Sequence, residues 1–193
     1  SYKNIGAHWR LQIEWSAVQN VNNNTSTITS YFYWIGLDSF SAVTASSSRS
    51  GTHYISNGTE GFSATSGLSN GQKKLMDSYT YIVSHGADGK CQTGIAVNYD
   101  LGVTLGGTYY GQVSVETGTI TLDTIPRAST LASYAGWFAG NDYPISINRA
   151  SSSFTHTAKI DMWDGGGWQT LKTITDIGNY HTWYPDTAEV TRM

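Results

Sequence analysis

Alternation of apolar and polar residues is the feature that most limits what this chain can form. Within residues 8–15, one parity is polar and the other is apolar, the apolar set being Trp9, Leu11, Ile13 and Trp15. Successive side chains of a β-strand point to opposite faces, so this pattern predicts a half-buried strand. No segment shows the sustained 3.6-residue periodicity of an amphipathic helix, although residues 73–76 are long enough for one helical turn. The sequence therefore predicts an all-β fold.

Further strand-like segments recur along the chain, each bounded by turn-forming residues. They include residues 28–37, 78–85, 94–100 and 109–116. Short strands at regular spacing are typical of an antiparallel β-sandwich or jelly roll. We expect residues 94–100 to pair with 78–85 across the Asp88-Gly89 turn, and 109–116 to form a hairpin with 119–123.

Pro126 marks a boundary between two runs of strands. Proline fixes its own φ and favours an extended conformation for Ile125 before it. Residues 124–130 are therefore predicted to be an extended hinge. A β-sandwich module at residues 1–123 would precede it, and a small β-rich unit at residues 131–193 would follow. That second unit is either a domain of its own or the completion of one larger sandwich.

Composition excludes several classes of partner and cofactor. Only 13% of residues are charged and the net charge is −3, so the chain lacks the excess of positive charge that binds the phosphates of nucleic acid. No apolar run is long enough to cross a bilayer, and no membrane insertion is expected. A single cysteine, Cys91, excludes an internal disulfide and a thiolate zinc site. No cofactor is expected, and a calcium ion at Asp88 and Asp100 is the one candidate.

Catalytic motifs are absent from the sequence. There is no G-x-S-x-G elbow, no H-E-x-x-H and no glycine-rich phosphate loop that opens a helix. Asp161 and Asp164 are close in sequence and could serve as the paired acids of a glycosidase, which are defined by their separation in space. The sequence predicts that the protein is not an enzyme.

Exposed aromatic residues give the strongest functional signal. Trp163 shares a parity with polar residues, and Trp168 follows three glycines, so both indoles should face solvent. An indole beside carboxylates suits a sugar, because the ring covers the apolar C–H face while polar groups bind the hydroxyls. The predicted sugar site is Trp163, Trp168, Asp161 and Asp164, with secondary candidates Tyr109, Tyr110, His53 and Tyr54. The alternative is that both tryptophans contact the first unit or a neighbouring protein.

The same parity argument assigns other side chains to the core. Trp9, Trp15 and Trp34 alternate with apolar neighbours and are predicted to be buried. His156 shares a parity with Ile160 and is predicted to face the core as a structural histidine.

Several short motifs together resemble one family. Residues 124–129 read T-I-P-R-A-S, residues 11–15 read L-x-I-E-W, residues 23–26 read N-N-x-S, and a histidine at position 85 precedes a D-G turn. These motifs resemble the tail-tip and baseplate structural proteins of siphophages. The resemblance implies a carbohydrate-binding module of an enlarged distal tail protein. It also implies a place at the virion tail tip, with bacterial cell-wall polysaccharide and other tail or baseplate proteins as partners.

Three functions follow as hypotheses. The first is a non-catalytic carbohydrate-binding module that attaches the phage to its host. The second is a purely structural tail or baseplate module whose exposed tryptophans contact other virion proteins. The third is a polysaccharide-degrading enzyme, retained because many phage tail tips contain one.

Overall fold

The computed structural model describes residues 1–127, 129–132, 141–149 and 155–193. Every strand pair in these ranges is antiparallel, which confirms the all-β prediction. The elements are β1 (Tyr2–Ile5), β2 (Trp9–Asn20), β3 (Thr25–Gly36), β4 (Ser48–Ile55), β5 (Gly58–Thr65), β6 (Lys73–Ser84), β7 (Gln92–Thr93), β8 (Ile95–Leu105), β9 (Thr108–Glu116), β10 (Ile120–Thr121), β11 (Thr130–Leu131), β12 (Tyr143–Asn148), β13 (His156–Trp163), β14 (Trp168–Ile177), β15 (Tyr180–Trp183) and α1 (Thr187–Arg192).

The chain divides into two compact units. The first comprises Ser1–Asn20 and Thr25–Ile125, and the second comprises Val21–Asn24 and Pro126–Met193. Their boundary after Ile125 falls inside the segment predicted to be a hinge. Ile125 itself is fully buried, and its backbone N–H donates to the Gly89 carbonyl at 2.9 Å. The chain therefore leaves the first unit at Pro126.

The first unit is a sandwich of two four-stranded sheets, β1-β2-β3-β6 and β5-β4-β8-β9, with the short pair β7-β10 beside them. Strands β2 and β3 form one long hairpin, paired from Trp9–Gly36 to Asn20–Thr25. Inward side chains of both sheets form one apolar core. Phe32 of one sheet meets Tyr99 of the other edge to face, with ring centroids 6.0 Å apart. Burial of this whole core, which includes the two rings, stabilises the packing of the two sheets.

Strand partners differ from those predicted. β8 pairs with β4 and β9, β6 pairs with β3, and β10 pairs with β7. Both predicted pairings, 94–100 with 78–85 and 109–116 with 119–123, are therefore wrong. The turn between β8 and β9 is made by Gly106 and Gly107, both at positive φ (55° and 83°), a conformation that glycine adopts without strain. Residues 73–76, which could have formed one helical turn, belong to β6.

Two of the three tryptophans assigned to the core are buried. Trp9 and Trp34 lie inside, and their indole N–H groups donate to the carbonyls of Ser41 (2.7 Å) and Ser66 (3.0 Å). The prediction for Trp15 is wrong, since this side chain is 39% exposed. Parity identifies the face of a strand, but the extent of the covering sheet is a tertiary property. The second half of β2 extends past the buried region.

The second unit has its own small core. A three-stranded sheet, β11-β12-β15, and the hairpin β13-β14 contribute its strands. Among the described residues, the buried hydrophobic side chains of this core are Tyr143, Ile145, Ile147, Ile160, Leu171, Ile177 and Trp183. Helix α1 begins with a capping box, in which Asp186 accepts from the Glu189 N–H and the Glu189 carboxylate accepts from the Asp186 N–H. Local hydrogen bonds therefore fix where this helix starts.

Glu189 links the helix to the hairpin and to β15. Its carboxylate accepts from Lys172 Nζ at 2.7 Å and from the Trp183 indole N–H at 3.2 Å. The hydrogen bond from Lys172, followed by that from the Asp186 N–H, lowers the pKa of Glu189 below its ordinary value. The folded state therefore favours the ionised form more than the unfolded chain does.

The stability of the second unit is expected to fall in acid. The contribution of Glu189 is complete above the ordinary glutamate pKa of about 4.3 and is lost as pH falls through the lowered folded-state value. In NMR spectra, the Trp183 indole N–H signal should shift over this acidic range, and Glu189→Gln should remove the shift. Trp34 is the internal control, because its indole N–H donates to a backbone carbonyl that does not titrate. An equal shift at Trp34 would assign the effect to global unfolding.

Candidate functional site

Two indoles stand together at the end of the β13-β14 hairpin. Trp163 and Trp168 are paired across the two strands, and their ring centroids lie 5.6 Å apart at an interplanar angle of 70°. Their side chains are 56% and 70% exposed, as the parity argument predicted. The hairpin thus presents a pair of large apolar rings to solvent.

Asp164 fixes the turn between the two indoles. Its Oδ1 accepts from the backbone N–H groups of Gly166 and Gly167, both at 2.9 Å. These two hydrogen bonds lower the pKa of Asp164. Gly165 lies at φ +94°, where a side chain would be strained, so glycine is needed for this reversal. The carboxylate that the sequence assigned to sugar binding is therefore used to shape the turn.

Removal of this carboxylate should loosen the turn between the two indoles. We expect Asp164→Ala to raise the hydrogen-exchange rates of the Gly166 and Gly167 amides about threefold or more, because the acceptor of both hydrogen bonds is lost. Asp164→Asn keeps an acceptor oxygen at the same place and should retain most of the protection. Amide hydrogen exchange followed by NMR in both variants checks this. Equal losses of protection in the two variants would assign the role to the negative charge instead.

A cleft of about 470 Å³ lies beside Trp168. Its walls come from β11, β12 and β13, and most of them are apolar: Leu131, Pro144, Ile145, Ala158 and Ile160. The polar part consists of Lys159 and Asp161, whose ammonium and carboxylate groups lie 3.4 Å apart. The cleft thus offers an apolar floor, a hydrogen-bond donor, a hydrogen-bond acceptor and an aromatic ring at one end.

The candidates on the first unit are not among the residues that line this cleft. Tyr109 is exposed on β9, while Tyr110 is partly buried against the core. Tyr54 lines another cavity of about 590 Å³, with Gln92 and Glu116 among its polar residues. Of the predicted sugar-binding residues, Asp161, Asp164, Trp163 and Trp168 lie together at one end of the β13-β14 hairpin.

His53 was wrongly assigned to a surface site. It has no exposed surface, its Nδ1 lies 2.7 Å from Asp77 Oδ2, and its Nε2 lies 2.8 Å from Ser30 Oγ. Parity alone could not decide which of His53 and Tyr54 faces inward. Ser30 shares the inward parity of Phe32, and a buried hydroxyl on that face needs a partner. Ser30 was therefore the sequence signal for a buried hydrogen-bond relay, which consists of Ser30, His53 and Asp77.

The relay has the order of atoms found in a hydrolase triad, but Ser30 is completely buried. A nucleophile must reach the substrate, and no substrate can reach a side chain with no exposed surface. In this conformation the Ser30–His53–Asp77 set can satisfy buried polar groups and hold β3, β4 and β6 together. It has no access for catalysis.

A family model described as siphovirus protein of unknown function (DUF859) matches residues 1–191. The chain belongs to this siphovirus family. The resemblance to siphophage proteins is thereby confirmed at the level of the virus group. No curated protein and no solved structure matched the chain. In the part of the siphovirus protein that the structure describes, no helix has the length and apolar character needed to span a bilayer.

The candidate calcium ligands of the siphovirus protein are already paired. Asp88 accepts from the Lys90 N–H at 3.1 Å, and Asp100 pairs with Arg49 at 3.3 Å. Among the described residues, no group of three or more histidine, cysteine or acidic side chains is arranged to hold a metal ion. Among these residues, neither aspartate therefore belongs to a cluster of metal ligands.

His156 of the siphovirus protein is half-buried and lies on the inward parity of β13 that it was predicted to share with Ile160. Its Nε2 lies 3.0 Å from Ser129 Oγ, and both residues line a further cavity of about 320 Å³. Burial alternates without a break along β13, because the extra residue of each bulge in the β13-β14 pairing lies in β14. The sequence analysis missed Leu131, which lines the cleft and this cavity, and Ser129, which lines this cavity. Their placement depends on the distant pairing of β11 with β12.

Proposed function

We propose that this siphovirus protein is a non-catalytic carbohydrate-binding module, which attaches the phage tail to the cell-wall polysaccharide of its host. The observation that supports the proposal most strongly is the pair of exposed indoles, Trp163 and Trp168, beside a cleft that contains Asp161 and Lys159. In the other described parts of the chain, no pair of exposed aromatic rings lies beside a comparable cleft.

The chemistry of the site matches the two surfaces of a sugar. A pyranose has an apolar C–H face that an indole can cover, and hydroxyl groups at its edge that need donors and acceptors. Asp161 accepts hydrogen bonds and Lys159 donates them, at the two ends of one ion pair. Contact with a glycan would also remove from water the apolar ring surface that the hairpin leaves exposed.

Weak binding at a single site is sufficient for such a role. The proposed location is the tail tip or baseplate, where several copies would act together. Binding of one copy raises the effective concentration of the others at the cell surface, so the retention of a virion exceeds that of one module.

The second candidate is a purely structural tail or baseplate module. Large exposed aromatic residues are enriched at protein interfaces as well as at sugar sites, and the same two indoles would then pack against another virion protein. The two functions differ in what they require of the cleft. Sugar binding needs Asp161 and Lys159, whereas an apolar protein contact needs the rings alone.

The test is a binding experiment with fluorescently labelled protein on host cells and on purified host wall polysaccharide. We expect saturable binding to both, competition by free polysaccharide, and no release of reducing sugar ends. Binding to isolated virion proteins with none to polysaccharide would support the structural role. Release of reducing ends would support the enzyme.

A further inference from the structure

We propose that the glycan site continues along β13 as a groove for several consecutive sugars, so that the protein binds an internal stretch of a linear polysaccharide. This inference rests on the proposed function and specifies its ligand. It predicts that recognition depends on the length of the saccharide and that a single terminal sugar fills only part of the site.

Two adjacent cavities form the groove. The cleft of about 470 Å³ beside Trp168 and the cavity of about 320 Å³ beside His156 share three lining residues, Leu131, Ala158 and Lys159. Shared walls mean that the two spaces are neighbours along β13. Each volume alone lies within the range of about 300–1,000 Å³ in which proteins hold small ligands.

The groove is longer than one sugar ring. His156 and Asp161 mark its two ends on β13 and are five residues apart in sequence. At about 3.3 Å per residue, their Cα atoms are separated by roughly 17 Å. Trp168 extends the groove beyond Asp161. A ligand that touches both ends must therefore contain more than one pyranose.

Polar groups are spread along this length. One end has Asp161 together with the indole of Trp168, the shared middle has the Lys159 ammonium, and the other end has the His156–Ser129 hydrogen bond. Both the imidazole and the hydroxyl can donate and accept hydrogen bonds. Hydroxyl groups of successive sugars would thus meet a polar partner at each position, with apolar walls between them.

The experiment uses host wall polysaccharide that has been partially hydrolysed and separated by size. In calorimetric titrations of the whole chain, affinity should rise at least tenfold from a single repeating unit to fragments of several units. His156→Ala should weaken the binding of long fragments threefold or more and leave the shortest bound fragment unchanged. Trp168→Ala should weaken the binding of both. His181→Ala, a half-buried histidine on β15, is the matched control.

The outcomes separate this inference from the proposed function. If short and long fragments bind equally well and His156→Ala has no effect, the extended groove is wrong while carbohydrate binding stands. If no fragment binds, the proposed function itself is wrong. Thermal unfolding shows whether His156→Ala remains folded, and Ser129→Ala provides a second variant at the same end that removes only a hydroxyl.

Discussion

Replacement of Trp163 and Trp168 by alanine together is expected to lower the affinity for host wall polysaccharide by at least about tenfold, which is about 1.4 kcal/mol. Aromatic contacts contribute roughly 0.5–1.5 kcal/mol each beyond the area that they bury, and two such rings would be lost. Because both side chains are more than half exposed, the folded protein loses few contacts. The free energy of unfolding should change by no more than about 0.5 kcal/mol.

Paired measurements of binding and thermal unfolding check this expectation. Tyr184→Ala is the matched control, because Tyr184 lies in the same unit and is 68% exposed. It should leave both affinity and stability unchanged. Unchanged affinity in the double tryptophan variant would favour the structural role. A large loss of stability would show that the indoles are packed in solution.

Replacement of His53 by alanine is expected to destabilise the first unit by about 3–5 kcal/mol. The substitution leaves the Ser30 hydroxyl and the Asp77 carboxylate without the imidazole that now satisfies them, and it opens a cavity between the two sheets. An unpaired buried polar group alone costs about 1–3 kcal/mol. The loss is therefore comparable to the whole stability of many small domains.

Urea unfolding of His53→Ala measures this effect, and His8→Ala is its control. His8 also pairs with an aspartate, Asp38, but both side chains of that pair are about two-fifths exposed. Its loss should destabilise the protein much less than the loss of the His53 pair, because water and salt screen an exposed ion pair. Asp77→Asn retains an acceptor for His53 and should fall between the two. Equal effects at His8 and His53 would show that burial of the relay is unimportant.

Local sequence pattern was sufficient for the fold class and for the outward direction of the indoles. The parity of β13 predicted that Trp163 faces solvent, and the parity that Trp168 shares with Thr170 and Lys172 predicted the same for Trp168. Both properties depend on residues next to one another in the chain. Pro126 is the first residue of the second compact unit after Ile125, and its effect on backbone conformation is likewise local.

The partners of each element required the tertiary structure. Parity gave the two faces of β4, but only the packing of β3, β4 and β6 showed that His53 lies inside and Tyr54 outside. Trp15 has the parity of a core residue and is exposed, because burial depends on what covers a strand.

In the candidate site too, some features depended on local sequence and others on the tertiary structure. The sequence by itself determined an all-β chain and a pair of exposed indoles on a hairpin, because backbone propensity and alternation act over a few neighbouring residues. Only the tertiary structure decided that β11 and β12 meet β13 to form a cleft that contains Lys159 and Asp161. A cleft is enclosed by residues far apart in the chain, and the free energy that brings them together comes from the burial of side chains across the whole unit.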